Sequence, residues 1–193
     1  MRRSIDSASL TPDTRAPVGA LPPDSVGRIE NRWMMADGSV RRMKIYLAGP
    51  LFTEADRDFL ESCAQTLESR GIECFVPHRI QFDSLDPDTV YAQDGTGVRG
   101  ANAVVAWLDG PVIDDGTACE IGIFAELCRR EPERYVGIVG LATDWRTMRR
   151  KEAGAIADGL NLFVVGAIRA HGEVAYSLDR VVEVLEGWRT TLE

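Results

Sequence analysis

Short hydrophobic runs alternate with longer amphipathic segments from residue 43 onward. The short runs predict five buried strands, at residues 44–48, 72–76, 103–108, 136–141 and 162–165. The segments between and after them predict helices at residues 53–71, 90–99, 117–130 and 174–188. Continuously apolar strands joined by helices are typical of a parallel sheet covered on both faces. Right-handed crossovers then favour a flavodoxin-like, doubly wound α/β fold with five parallel strands.

Residues 1–42 differ from the rest of the chain. They contain four prolines and no sustained hydrophobic period, which predicts a disordered tail or an extension upstream of a start at Met43. Acidic residues in this stretch argue against a transit peptide, and residues 1–20 lack the apolar segment of a signal peptide. Residues 43–193 are expected to form a single domain, and a cytoplasmic location is expected because no apolar run has the length of a membrane span.

The composition narrows the chemistry. The 193 residues carry 22 basic and 30 acidic side chains, and this net charge of -8 disfavours a nucleic-acid partner. The 4 cysteines form no CxxC pair and the chain has only 2 histidines, which favours buried free thiols over disulfides or zinc ligands. No metal and no cofactor are therefore predicted, and catalysis would depend mainly on carboxylates.

The acidic turn after the third predicted strand is the strongest candidate site. Asp114 lies in this turn and Glu120 on the helix that follows, so both belong near the carboxyl end of a buried strand, where ligands bind in open α/β sheets. Asp94, on the segment leading into the same strand, can reach the same end. Two carboxylates in one crevice suit cleavage of a glycosidic bond. Alternatively, Asp94 is a solvated loop acid and Glu120 only balances the helix dipole.

The first predicted strand leads into a second candidate segment. Tyr46 lies in the strand, and the turn Gly49-Pro50 follows it, with Phe52 just beyond. The turn either lets a ligand approach the backbone closely or simply connects strand to helix. It has neither the glycine spacing of a dinucleotide-binding loop nor the lysine of a P-loop.

These two segments resemble the nucleoside 2-deoxyribosyltransferase family. The resemblance is carried by KIYLAGPLFT at residues 44–53 and, more specifically, by D-x-G-T-x-x-E-x-G at residues 114–122, and it extends over about residues 43–187. It implies a flavodoxin-like fold and transfer of 2-deoxyribose between purine or pyrimidine bases. It also implies a role in nucleotide salvage, deoxynucleoside and free nucleobase as small-molecule partners, and a homo-oligomer.

The resemblance further implies a role for each matching residue. Glu120 corresponds to the nucleophile, Asp94 to the acid that protonates the departing base, and Tyr46 to the tyrosine that positions the nucleophile and the sugar. Asp114 corresponds to the aspartate that binds sugar hydroxyls. The remaining substrate-binding candidates are Gly49, Phe52, Gly116, Gln81 as a reader of the base, and Asn161, which such enzymes often contribute across a subunit contact.

The chain also departs from the family pattern. Asn102 stands where an acidic residue is usual, which is expected to affect structure more than chemistry, and the segment Arg129–Arg134 is unusually charged. The last aromatic residue is Trp188, whereas some relatives insert an aromatic C-terminus into a neighbouring site. Base preference and the neighbour's contribution therefore stay open.

Three functions follow from these observations. The favoured one is transfer of deoxyribose with net retention, by double displacement through a deoxyribosyl-Glu120 intermediate. A rival is hydrolysis of a 2′-deoxynucleoside 5′-monophosphate by a related N-glycosidase, which a carboxylate at residue 114 disfavours because it repels phosphate. The third is a non-catalytic nucleoside-binding module.

Overall fold

The structure is a computed structural model that describes residues 43–81, 86–145, 147 and 159–190, with only the backbone of Thr190. The tail predicted at residues 1–42 lies outside these residues. Five strands occur in the described ranges: Lys44–Ala48 (β1), Glu73–Phe75 (β2), Ala103–Trp107 (β3), Gly137–Leu141 (β4) and Gly172–Ala175 (β5). The α-helices described there are Glu54–Ser69 (α1), Pro87–Gly100 (α2), Asp115–Arg130 (α3), Leu162–His171 (α4) and Leu178–Thr190 (α5).

The strands form one parallel sheet in the order β2-β1-β3-β4-β5. This order confirms the predicted flavodoxin-like arrangement, in which the chain reverses direction across the sheet between β1 and β3. In the register, Tyr46 of β1 lies between Phe75 of β2 and Val104 of β3. Tyr46 and Phe75 therefore project from the same face as neighbours.

Two hydrophobic layers cover the sheet, one on each face. Ile45 and Leu47 of β1 point into a layer completed by α1 and α5. Tyr46 and Ala48 point into the opposite layer, completed by α2, α3 and α4. This alternation follows from the two-residue period of a strand, and it assigns Tyr46 to the face that carries the candidate site.

Helix α1 has both ends defined by the sequence as predicted. Thr53 and Asp56 form a capping box, in which each side chain accepts a hydrogen bond from the other residue's backbone N–H, at 3.1 and 2.9 Å. At the far end, Gly71 has a φ of 77°, and the N–H groups of Gly71 and Ile72 donate to Glu68 and Leu67. These bonds are those of a Schellman motif, which favours glycine at this position.

The prediction of a fifth strand at residues 162–165 is wrong. These residues begin α4, because Asn161 caps the helix by accepting hydrogen bonds from the N–H groups of Phe163 and Val164. Val165 and Ile168 form the buried side of the helix. A short apolar run does not distinguish a strand from the first turn of a buried helix.

The fifth strand lies instead at Gly172–Ala175, where the closing helix was expected to begin. A side chain at Gly172 would lie 3.0 Å from the backbone carbonyl carbon of Ile138, so glycine lets β5 approach β4 closely. Helix α5 consequently begins at Leu178. Helix α2, by contrast, matches the prediction but begins earlier, at Pro87, behind the N-cap Asp86.

Asn102 has the structural role that the sequence indicates. Its buried side chain accepts a hydrogen bond from Lys44 N at 3.0 Å and donates to the carbonyl of Arg134 at 3.4 Å. These contacts tie the beginnings of β1 and β4 together, at the opposite end of the sheet from Gly49. In the ranges described, no helix combines the length and apolar character needed to cross a bilayer.

Replacement of Gly71 tests the end of α1. We expect Gly71→Ala to destabilise the protein by about 1 kcal/mol, because alanine is strained at positive φ. Gly187→Ala, the same change in the interior of α5, is the control: a Cβ there meets nothing within 4 Å, so a gain of about 0.5–1 kcal/mol is expected. Urea unfolding measures both, and effects of the same sign would contradict the assignment.

Candidate active site

The centre of the candidate site is a hydrogen bond between β1 and α3. The hydroxyl of Tyr46 donates to Oε1 of Glu120, a short contact between a buried side chain and a half-buried one. Helix α3 leaves the carboxyl side of β3, and Glu120 lies in its second turn, past the helix terminus. Glu120 is therefore held by a side chain of the sheet, which contradicts the alternative that it only balances the helix dipole.

Tyr46 is a rigid donor. Its side chain is completely buried, and its ring stacks on that of Phe75 with centroids 5.3 Å apart and planes 19° from parallel. Burial raises the pKa of the Tyr46 phenol above its usual value, and the negative charge of Glu120 adds to the effect. The phenol therefore keeps its proton at neutral pH and acts as the hydrogen-bond donor to the carboxylate.

Glu120 titrates in the neutral range. Burial raises the pKa of Glu120 to about 7, and the charges of Asp94 and Asp114 act in the same direction, while the hydrogen bond from Tyr46 opposes them. The three acidic residues named from the sequence are thus electrostatically coupled in one place. Such a carboxyl is a poised base or nucleophile at physiological pH.

Asp94 faces this cluster from α2. Burial raises the pKa of Asp94, and its Oδ1 is buried with no hydrogen-bond partner among the residues that the structure describes. The neighbouring Gln93 has its Oε1 in the same condition. Burial of one carboxyl oxygen away from any described donor favours the neutral form of this half-buried acid, which is the form that can give a proton.

Asp114 is fixed by the start of α3. It is the N-cap, and its Oδ2 accepts hydrogen bonds from the backbone N–H and the hydroxyl of Thr117, at 2.8 and 3.0 Å. A side chain at Gly116 would have its Cβ 3.2 Å from that oxygen, so glycine leaves the carboxylate room. The acidic turn therefore has a structural cause that does not exclude ligand binding through Oδ1.

The loop after β1 packs against the protein at Gly49 and is exposed at Phe52. A Cβ at Gly49 would lie 3.1 Å from the Leu60 side chain and 3.3 Å from Cβ of Trp107, so the glycine allows the turn to pack against both residues. The guanidinium of Arg57 donates to the carbonyls of Leu51 and Phe52, at 2.8 and 3.2 Å. The ring of Phe52 is 80% exposed beside this turn and can contact a ligand.

Two predicted residues are not joined to the cluster. Gln81 is exposed after a 3-10 turn at Pro77–Arg79, and the side chain of Asn161 caps α4. Among the described residues, no hydrogen bond links either of them to Glu120. Tyr46, Asp94, Asp114 and Glu120 are thus brought together, with Gly49, Phe52 and Gly116 in the adjoining turns. Gln81 and Asn161 have no hydrogen bond to these acids within the described ranges.

Sequence reasoning missed three residues that support the cluster. Phe75 stacks on Tyr46, Thr117 holds Asp114, and Gly97 of α2 lies against Phe75. A glycine inside a helical pattern often marks a close approach, and Gly97 was the available signal. No group of three or more potential metal ligands occurs in the described part of the chain.

Comparison with known proteins now identifies the family. The sequence model of the family described as nucleoside 2-deoxyribosyltransferase matches residues 45–183, most of the chain. The chain belongs to the nucleoside 2-deoxyribosyltransferase family. An uncharacterized protein of Ureaplasma parvum serovar 3 is 28% identical over 144 residues, which are 68% of this chain and 86% of that protein.

Solved structures share the fold of this chain. A conserved protein from Enterococcus faecalis V583 is 28% identical with a TM-score of 0.62, over 76% of this chain and 98% of that one. The match to a 2-deoxyribosyltransferase from Bacillus psychrosaccharolyticus (20% identity, TM-score 0.52) covers 72% of this chain and 90% of that chain. A 2-desoxiribosyltransferase from Leishmania mexicana (19%, TM-score 0.51) covers 76% and 96%. The last two likenesses show a shared fold.

The buried Glu120 predicts a pH-dependent stability. Because its folded pKa of about 7 exceeds the ordinary 4.5, the folded state binds the extra proton between these values, and stability falls as the pH rises through them. We expect the wild type to lose roughly 3 kcal/mol relative to Glu120→Gln between pH 4 and pH 8. Urea unfolding at several pH values measures the difference.

Glu126→Gln is the matched control on the same helix. Hydrogen bonds from Arg129 and Arg130 hold the pKa of Glu126 low, at about 2, so its contribution to stability is lost only in acid and has the opposite slope. A wild-type curve parallel to that of Glu120→Gln would show that Glu120 is not buried as described.

Proposed function

We propose that this protein transfers 2-deoxyribose between nucleobases by double displacement, with Glu120 as the nucleophile. The observation that carries the proposal is the Glu120 carboxyl, bound to the Tyr46 hydroxyl and coupled to Asp94 and Asp114. A binding module has no need of a nucleophile beside a protonatable acid, and family membership supports an activity on deoxyribonucleosides. The reaction is of the kind that recycles bases in nucleotide salvage.

The first step forms a glycosyl-enzyme. Tyr46 occupies Oε1 of Glu120, which leaves Oε2 to attack C1′ of the deoxynucleoside. The C1′–O bond forms as the C1′–N bond breaks, and the electron pair of that bond leaves with the base. The base takes a proton from Asp94. The transition state resembles an oxocarbenium ion, and the carboxylates around it stabilise its positive charge.

The second step reverses the first with another base. A nitrogen of the incoming base attacks C1′, the C1′–O bond to Glu120 breaks, and Asp94 takes the proton that the nitrogen loses. Two inversions give net retention at C1′, and both acids return to their starting states. No cofactor or metal is needed, because every proton and electron pair is supplied by the two substrates and these side chains.

The two acids need opposite protonation states. The hydrogen bond from Tyr46 favours ionised Glu120, whereas Asp94 Oδ1 has no donor in the described structure, which favours the neutral acid. The charge of Asp94 raises the pKa of Glu120, and the reactive state in this proposal is the one with the proton on Asp94 and an ionised Glu120. A bell-shaped dependence of kcat/KM on pH follows from this pairing.

The remaining candidates surround the sugar and the base in this proposal. Asp114 presents Oδ1 to a sugar hydroxyl, because Thr117 occupies its Oδ2. Gly116 keeps space beside that carboxylate, while Gly49 and Phe52 form the opposite wall. Gln81 is the candidate reader of the base, as the resemblance implies. Each of these assignments rests on the family resemblance together with the positions described above.

The charges favour a nucleoside over a nucleotide. A phosphate dianion would approach the Asp114 carboxylate, which repels it. Arg79 is engaged by Glu61 at 2.8 Å and by Glu68, and Arg57 donates to the carbonyls of Leu51 and Phe52. Arg57 and Arg79, the two cations considered for holding a phosphate, thus already have partners. Hydrolysis of a deoxynucleoside monophosphate is therefore the second candidate.

We also propose that the protein works as a homo-oligomer. Leu162 and Phe163 at the start of α4 are 73% and 86% exposed, directly after Asn161. A second copy covering these side chains would place Asn161 beside its neighbour's site, as the resemblance implies. Size-exclusion chromatography with light scattering measures the molecular mass of the protein in solution, and a monomer at micromolar concentration would contradict this proposal.

A base-exchange assay separates the candidate functions. Incubation with deoxyinosine and adenine is expected to give deoxyadenosine and hypoxanthine. Release of hypoxanthine without formation of deoxyadenosine would indicate hydrolysis. Binding of the nucleoside without any turnover would indicate a binding module. Deoxyinosine monophosphate supplied in place of deoxyinosine tests whether the protein acts on the nucleotide.

We expect Glu120→Gln to abolish transfer, since no covalent route remains, and full activity in this variant would refute the mechanism.

Asp94→Asn tests the proton transfer. We expect a loss of about 10²–10⁴ in kcat, the usual size of general-acid assistance, and a smaller loss for a deoxynucleoside whose base leaves easily without protonation. Asp88→Asn, the same change at an exposed position in the first turn of the same helix, should retain wild-type activity. An equal loss for good and poor leaving groups would show that Asp94 is not the acid.

A further inference from the structure

We propose that Gly97 and Phe75 are positioning residues for the nucleophile: the missing side chain at Gly97 lets Phe75 support Tyr46, which in turn holds Glu120. This inference rests on the proposed function of Glu120. It assigns roles to a helix glycine and a ring that do not themselves need to touch the substrate.

Gly97 is required for space and not for its backbone. It lies inside α2, where glycine costs about 1 kcal/mol relative to alanine, and its φ is not among the positive ones. A Cβ at this position would lie 2.5 Å from Cζ and 2.6 Å from Cδ1 of Phe75. Ordinary contacts begin at 3.4 Å, so the ring or the helix would have to move by about 1 Å.

Phe75 transmits such a movement to Tyr46. The two residues are register partners on β2 and β1, and their rings stack at 5.3 Å. Tyr46 is completely buried, with Val104 of β3 as its partner on the other side. Because the Tyr46 ring has no exposed surface and stacks on Phe75, we expect a displaced Phe75 to move the Tyr46 ring and with it the hydroxyl.

The hydroxyl is the point at which position becomes chemistry. It donates to Oε1 of Glu120 and so holds the carboxylate whose Oε2 attacks the anomeric carbon in the proposed mechanism. Misplacement of a reacting group by about 1 Å can cost on the order of 10² in rate. The groups that act on Glu120 are Tyr46 from β1, Asp94 from α2 and Asp114 at the start of α3, and only the bond to Tyr46 favours its ionised form.

The test compares Gly97→Ala with Gly100→Ala. A Cβ at Gly100, on the same helix, meets nothing within 4 Å, so this control should keep wild-type kinetics. We expect Gly97→Ala to lower kcat for base exchange about 10²-fold and to change KM less than threefold. We also expect the acid limb of the kcat/KM profile to move to higher pH, because the weakened bond from Tyr46 no longer favours ionised Glu120.

A double variant shows whether the effect passes through Tyr46. In a Tyr46→Phe background the hydroxyl is already gone, so adding Gly97→Ala should cost less than threefold in kcat. An additional loss as large as in the wild type would overturn the proposal. So would a Gly97→Ala variant that raises KM alone.

Phe75→Leu is a second variant that tests the same proposal if Gly97→Ala does not fold. It removes the stacked ring while leaving Gly97 unchanged, and we expect kcat to fall about tenfold, again with the acid limb at higher pH. Wild-type kinetics would overturn the proposal. If the wild type itself shows no turnover, the proposed function fails instead, and the pH dependence of stability relative to Glu120→Gln still reports the pKa of Glu120, which Phe75→Leu is expected to raise.

Discussion

The hydrogen bond from Tyr46 to Glu120 is the interaction on which the candidate site depends. It joins the sheet to the helix that carries the carboxylate, and it opposes the burial that would otherwise keep that carboxyl neutral. The bond requires a tyrosine at one position of β1, with the phase that points it toward α2 and α3. A shift of one residue in that strand would turn Tyr46 to the other face.

Much of this arrangement was predictable because it follows from local patterns. The apolar run of β1, the bounds of α1 and the acidic turn at Asp114 are all encoded within a few residues of sequence, and the structure confirms them. Their positions in the sequence paired Glu120 with Asp94 at one edge of the sheet and left their function open, and the family resemblance supplied a role for each. The structure adds the coupling between their charges, whereas the catalytic roles stay predictions.

The failures of prediction have a common physical origin in contacts between distant segments. Residues 162–165 are apolar and include two β-branched valines, yet they form a helix because Asn161 caps it and its inner side packs on the core. The stacking of Phe75 on Tyr46 depends on the pairing of two strands, and Gly97 has meaning only once that ring is placed. No local period encodes such relations, and in isolation a helix glycine indicates only a weak helix.

The central sheet divides the molecule into two layers with different duties. The proposed catalytic acids and their supports all lie on the side of α2, α3 and α4, whereas α1 and α5 cover the other face. The turn at Gly49 is where the two sides meet, since it rests on Leu60 of α1. Substitutions that raise thermal stability can therefore accumulate in α1 and α5, while substitutions that change the substrate range accumulate on the opposite side. The condition is that the contact of Gly49 with Leu60 is preserved.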